Sequence, residues 1–540
     1  MTTASPPRSS LSTLRWLPGP SSPAQSPAEV AGTVLGFRRQ AYVVRAADGL
    51  APGVALDGQV STGDGRDGLE LIGVLPPLYP EWLGDRSFAA AHGVRFPYVA
   101  GEMANGIATT AMVIALARAD LLGFFGAGGL SLPAIRRALG ELTSAIGSLP
   151  NWGVNLIHTP SEPGREDRLV DLLLAERVPA VSASAFMDLT PAVVRCAVSG
   201  LRLVEGRVVR GVRMFAKVSR PEVAAKFLSP APAEMLRALL DRGAITSEEA
   251  RLAAEVPLAE DITVEADSGG HTDNRPLTVI LPAILALRDE LSHRHGYDRR
   301  VRVGAGGGLG DPAGVAAAFA AGADYVVTGT INQRAAEAGL SAAAKELLAG
   351  AALSDVVMAP AADMFEYGVK VQVLRRGTMF AARAGQLYEA YRSHTSLDDI
   401  PAATRTRLER DVLRATFEQS WADTRRFWLD RDPREVARAE KDPKHLMALV
   451  FRAYLGLSSR WAIDGDTARR ADYQIWCGPA IGAFNRWIAG TPLAEPGGCT
   501  VVQIARNLLE GAATLTRAHQ FRSYGVAVPT ADLHVPRRLT

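Results

Sequence analysis

Eight short apolar runs, each followed by sequence of helical periodicity, fill the stretch from residue 97 to residue 329. They are PYVAGEM (97–103), LLGFFGAG (121–128), NWGVNLIH (151–158), AVSASAF (180–186), VRGVRMFAKV (209–218), DITVEAD (261–267), VRVGAGGG (301–308) and DYVVTG (324–329). Their apolar character is continuous rather than alternating, as strands buried on both faces require. Segments such as IATTAMVIALARA, SLPAIRRALGELTSAI and LTVILPAILALRDEL read as the intervening helices. Eight βα units predict an α/β fold of the (β/α)8 TIM-barrel type. A doubly wound open sheet is the competing arrangement.

The remaining sequence predicts four parts. Residues 1–30 are rich in Ser and Pro and lack an apolar core run, which predicts a disordered tail without a secretory signal. Residues 31–95 predict a small N-terminal subdomain, and 96–380 the barrel. Residues 381–540 predict a helical C-terminal region. Between the fifth and sixth strands, 219–260 carries helical periodicity of its own, too long for a structureless loop. It is expected as a helical insertion over one rim, flanking the site.

Composition excludes several classes. Of 540 residues, 47% are hydrophobic and 21% charged, within the globular range. A net charge of +2 gives no argument for nucleic acid. No apolar run is long enough to span a membrane. Three cysteines, none in a CxxC pair, predict no disulfide framework, and the cytoplasm is the expected location. No metal-ligand spacing of the HExxH kind occurs, and GxSxG is absent.

The chemistry-bearing residues fall at strand ends. EADSGGHTDNRP (265–276) places Asp267, Gly269, Gly270 and His271 after the sixth strand, at the face where barrels carry their chemistry. The glycines there suggest close approach of the backbone to a ligand, and His271 is a proton donor or acceptor near neutral pH. GAGGGLGDP (304–312) and VVTGTINQ (326–333) set Gly306, Gly307, Gly308, Gly329 and Thr330 just before helix N-termini, where free N–H groups bind phosphate. No register satisfies GxGxxG, and GxxxxGK[ST] is absent, so the phosphate expected is a mononucleotide's, such as that of FMN. GEMANG (101–106) could line a flavin edge with the backbone amides of Glu102, Met103, Ala104 and Asn105, and Gly101 is a further cofactor-binding candidate. Asn155 ends the third strand with an amide suited to a heterocycle. Lys217 ends the fifth, where it could neutralise a flavin or a phosphate, or form only a rim salt bridge.

Taken together, EADSGGHTDNRP, GVNLIHTP, GEMANGIAT, GAGGGLGDP, VVTGTINQ and FEYGVKVQVLRRGTMF resemble the trans-acting enoyl reductases of the PfaD type. That family serves polyketide and polyunsaturated fatty acid synthases and is related to nitronate monooxygenases. The resemblance spans about 30–530. It implies an FMN barrel in which NADPH provides the hydride for 2-enoyl thioesters on acyl carrier proteins. It assigns phosphate contacts to Gly306–Gly308 and Gly329–Thr330, and flavin contacts to Met103, Asn155, Lys217 and Gly269–Gly270. His271 and Lys217 become the catalytic candidates, His271 by protonating the α-carbon or polarising the thioester carbonyl, or only by positioning a ring. A nitronate monooxygenase-like oxidase and a non-catalytic flavin-binding synthase partner are the alternatives. The resemblance leaves acyl chain length, stereochemistry and oligomeric state open; a homodimer is compatible with it.

Overall fold

The computed structural model describes residues 14–45, 51–62, 67–160, 162, 164–270, 272–495, 497–529 and 533–539. Its centre is a closed barrel of eight parallel strands. In chain order these are Tyr98–Ala100, Leu122–Phe125, Trp152–Ile157, Ala180–Ser184, Arg213–Val218, Asp261–Glu265, Arg302–Gly306 and Val326–Thr328. The eighth pairs with the first, which closes the ring. All eight fall within the apolar runs.

The N-terminal end of the barrel is sealed by the helix Arg86–His92. Phe88 from this helix is fully buried and stacks on Tyr325 at 4.5 Å between centroids. Below it, His92 Nε2 lies 3.0 Å from Asp261 Oδ2, and Arg302 donates to both Asp261 oxygens at 2.6 and 2.9 Å. Burial raises the cost of the Asp261 charge. His92 and Arg302 outweigh it and hold the carboxyl well below its usual range. The plug leaves the C-terminal end of the strands as the open end.

A five-stranded sheet precedes the barrel, in the order 52–55, 41–45, 69–75, 15–17, 59–61. This corrects the expected tail of 1–30 from Leu14 onward. The strand Arg15–Leu17 buries Trp16 completely, against Tyr42, Val44 and Ala55. The helix Pro27–Leu35 follows, with Ser26 and Glu29 forming a capping box. One indole outweighs a polar composition when the alternation around it fits a sheet. Residues 1–13 lie outside the described residues.

After the eighth strand the chain leaves the barrel and returns late. It runs through an antiparallel pair, Val356–Pro360 with Lys370–Leu374, and a helical group that includes Phe380–Ser393, Phe417–Arg431 and Pro443–Asp464. The helix Val501–Ser523 then packs against Pro312–Ala320 and Thr110–Arg118, in the place that the helix after the eighth strand occupies in the ring. The last described residues dock along it: Asn507 exchanges two hydrogen bonds of 2.9 Å with the Arg537 backbone.

The insertion carries helices Pro221–Leu228, Ala233–Asp241 and Ser247–Ala253. The first is a ring helix that packs on the fifth and sixth strands. The other two pack on Pro191–Val198 and the Arg202–Val204 strand, part of a hairpin that leads into the start of the fifth strand. They therefore lie at the N-terminal end of the barrel. The expected flanking of the site is thus corrected: none of these residues lines the cavity described next.

Candidate active site

A cavity of about 920 Å³ opens at the C-terminal ends of the strands. Its floor is the barrel mouth. Its roof is the helical group, chiefly Phe417–Arg431 and Pro443–Asp464. Every residue expected to contact the cofactor, from Gly101 and Met103 to Gly329 and Thr330, lines this one space. Among the described residues, no group of three or more His, Cys, Asp or Glu could hold a metal ion. His271 lies outside the described residues.

The strand ends bring a charge cluster together. Lys217 Nζ, from the fifth strand, stands 3.4 Å from Glu102 Oε1 and 3.2 Å from Glu265 Oε1. Glu102 follows the first strand and Glu265 ends the sixth, so three separated segments meet at one ammonium. Ser182 donates to Glu102 at 3.1 Å, and Ser268 donates to Glu265 at 3.1 Å. Burial would strip the Lys217 proton, but Glu102 and Glu265 outweigh it and hold the ammonium above its usual range. Burial pushes the Glu102 carboxyl up, against the pull of Lys217. Lys217 is therefore neither a free cation nor a rim residue: one positive charge is shared by two carboxylates inside the mouth.

The glycine loops offer a phosphate cradle. Gly307 and Gly308 take φ of +88° and +73°, conformations that suit glycine. Side chains added at Gly308 or Gly329 would meet nothing within 4 Å, so both face open space. Among the described residues, no backbone hydrogen bond uses the N–H of Gly307, Gly308, Gly329 or Thr330. The Thr330 hydroxyl accepts from Gly478 N at 3.2 Å and keeps its proton free to donate. The helix Pro312–Ala320 starts just beyond, with Asp311 accepting from Gly314 N at 2.9 Å.

Other expected residues have partly structural roles. Asn155 Oδ1 accepts from Ala127 N and Gly128 N, at 2.8 and 3.2 Å, and so pins the loop after the second strand. Asp267 Oδ1 accepts from Asn274 Nδ2 at 2.9 Å and from Gln372 Nε2. Gly269 lines the cavity, but its close approach is to protein: a side chain there would lie 2.8 Å from Cys477 N. At Gly270 a side chain would lie 2.9 Å from Glu265 Oε1.

Three contributors to the site lie inside the segments GEMANG, EADSGGHTDNRP and VVTGTINQ, but the roles of their side chains were not expected from the sequence. Glu102 and Glu265 stand at strand ends, by the same rule that singles out Lys217, but their pairing needs three segments to meet. Gln333 donates to Trp476 O at 2.6 Å, while its Oε1 is buried without a partner. A buried acceptor without a donor costs about 1–3 kcal/mol, so this one suits the N–H of a bound heterocycle.

Residues 394–473 match the family described as acyl-carrier-protein S-malonyltransferase, inserted helical domain. They contain the two helices of the roof. The enoyl reductase domain of MlnA, from the macrolactin biosynthesis cluster of Bacillus amyloliquefaciens, superposes with a TM-score of 0.79 at 36% identity, over 82% of this chain and 99% of that domain. A polyunsaturated fatty acid synthase component of Thraustochytrium is 48% identical over 450 residues, 82% of this chain and 30% of the relative. Polyketide biosynthesis protein PksE of Bacillus subtilis is 41% identical over 456 residues, 84% of this chain and 59% of the relative. The chain thus spans less than two thirds of the length of these two relatives.

Proposed function

Because the chain belongs to the family of enoyl reductases associated with polyketide and polyunsaturated fatty acid synthases, we propose that it is an FMN- and NADPH-dependent enoyl reductase. Its substrates are 2-enoyl thioesters carried by acyl carrier proteins of a synthase, on which it acts in trans, in the cytoplasm. The observation that carries this reading is the match to nearly the whole MlnA enoyl reductase domain.

The site fits FMN on its own evidence. The amides of Gly307, Gly308, Gly329 and Thr330, which make no backbone hydrogen bond among the described residues, would hold the phosphate, aided by the adjoining helix N-terminus. Gln333 Oε1 supplies an acceptor for a ring N–H. Met103, Asn155 and Gly101 line the floor beside them. FMN, when bound, supplies hydride chemistry, with NADPH as its source.

The chain's own residues do the rest. Lys217, anchored by Glu102 and Glu265, presents an N–H to the oxygen of a polarised carbonyl. His271 provides the α-carbon proton, a role drawn from its place after Gly270 in the sequence. The roof covers the barrel mouth, and a lower local dielectric there would strengthen the Lys217 contact.

The test is twofold. The purified protein is denatured and the released chromophore identified by mass; FMN is expected. NADPH consumption is then followed with and without a crotonyl thioester. Consumption that requires the enoyl group supports the reading. A colourless protein that takes up no FMN overturns it.

A further inference from the structure

The cavity has an open side that the chemistry described above does not use. Phe427, half-exposed, and Asp423, three-quarters exposed, line it there. So do Glu162 and Arg165, from the segment after the third strand, and Arg431, the last residue of the helix Phe417–Arg431. In the ring the third strand stands opposite the seventh, so this segment lies across the mouth from the glycine cradle that follows the seventh strand.

Two guanidinium groups share one carboxylate at this point. Arg431 donates to both Glu162 oxygens, from Nη2 to Oε1 at 2.8 Å and from Nε to Oε2 at 2.9 Å. Arg165 Nη1 stands 3.6 Å from Glu162 Oε2, and its Nη2 donates to Leu130 O. Burial makes the Arg165 charge costly. Glu162 offsets part of that cost, Arg431 and Arg168 add to it, and the guanidinium sits below its ordinary range. Among the described residues, Arg431 Nη1 makes no hydrogen bond, and the Phe427 ring, 5.4 Å from the guanidinium carbon, steadies its plane.

The helix Arg165–Ala175 begins here without a side-chain cap, which adds the positive end of its dipole. Glu166 and Asp167 in its first turn offset part of this. Glu166 turns back from the cluster: its Oε1 lies 2.7 Å from His158 Nδ1 and accepts from Thr159 N at 2.9 Å, and its Oε2 accepts from the Thr190 hydroxyl at 2.7 Å. One carboxylate therefore serves two guanidinia, whose planar forks match the oxygens of a phosphate. An acyl chain has no use for such a group. A phosphopantetheine arm and a dinucleotide both carry a phosphate ester away from their reactive end.

Resting on the enoyl reductase reading, we infer that Arg165 and Arg431, held apart by Glu162, form a second phosphate site, which anchors the phosphate ester of a ligand whose reactive end reaches the barrel mouth. Glu162 keeps the two guanidinia in place until that phosphate arrives.

Binding to the FMN-loaded protein, in which the glycine cradle is already filled, tests this by calorimetry. Butyryl-phosphopantetheine and butyryl-pantetheine differ by one phosphate, and neither can be reduced. The native protein should prefer the phosphorylated thioester by about tenfold or more. Arg431→Gln should shrink that ratio to about threefold or less, and Arg431→Lys should restore part of it. Glu162→Gln, which frees both guanidinia, should widen the ratio instead. These opposite signs separate a phosphate site from a folding defect, which would weaken both ligands in every variant. NADPH is titrated in parallel. If the same variants shift NADPH affinity in those directions while the thioester ratio stays near one, the site stands and the phosphate is the dinucleotide's. A native thioester ratio near one, with NADPH affinity unchanged in Arg431→Gln and Glu162→Gln, overturns the inference even if crotonyl thioesters are reduced. Phosphate-dependent binding without reduction of crotonyl-phosphopantetheine by NADPH leaves the site standing and overturns the reductase reading instead.

Discussion

Lys217 holds its proton in a place where burial alone would remove it, because two carboxylates stand within 3.4 Å. Replacing it leaves Glu265 and Glu102, whose carboxyl burial already pushes up, facing the cavity with no countercharge. Lys217→Ala is expected to lower kcat for enoyl reduction by about 10²-fold while FMN stays bound. A change of less than about threefold would remove Lys217 from the mechanism. Lys217 itself was legible from its place at a strand end; its partners were not, since proximity across strands is a property of the closed ring. His534 makes a separate, structural case. Burial depresses its pKa to about 4, and its Nε2 has no partner among the described residues. The unfolded chain would protonate it near its ordinary value of 6.5. Between pH 6.5 and about 4 the unfolded state therefore binds the extra proton, and stability falls as pH falls. The loss attributable to this group is on the order of 3 kcal/mol. Urea unfolding of His534→Phe across that window should show a shallower decline than the native chain; an identical decline would place the pH sensitivity elsewhere.

At the scale of elements, close-packed glycines join the barrel loops to the 477–480 segment. A side chain at Gly310 would lie 2.2 Å from Ala480 O, and one at Gly478 would lie 3.0 Å from Ser268 Cα. With Gly269 against Cys477, these contacts press the 477–480 segment onto the loop after the sixth strand and onto the Gly306–Gly310 loop, which carries part of the phosphate cradle. Gly310→Ala should therefore cost about 1–3 kcal/mol and weaken FMN retention together. Thermal melting with parallel flavin release measures both. Lost stability with full retention would uncouple the lock from the cradle. The glycines of SGG were conspicuous in sequence, but whether a glycine makes room for a ligand or for another backbone depends on what packs there. The eight strands were legible because doubly buried strands leave continuous apolar runs. The side on which the 219–260 insertion lies was not, because helical periodicity carries no address in space.

For the whole molecule, the decisive feature is that the ring's last helix, Val501–Ser523, is supplied from beyond the roof. No pattern along the chain reveals that, since a helix at the far end of a helical region looks like its neighbours. A chain ending at residue 380 keeps all eight strands but loses this helix. Its buried face includes Ile504, Leu508, Leu509 and Ala512, so the truncated form is expected to be insoluble and free of FMN. A soluble, yellow fragment would refute that. Barrel and roof thus enclose one cavity. The central claim is that this cavity passes a hydride from NADPH to an enoyl thioester through FMN. The most direct measurement is anaerobic stopped-flow absorbance at the flavin band. Mixing with NADPH should bleach the band, and adding an enoyl thioester on its carrier protein should restore it, with His271→Ala slowing the second phase. A band that bleaches and never recovers with any enoyl thioester would contradict the account.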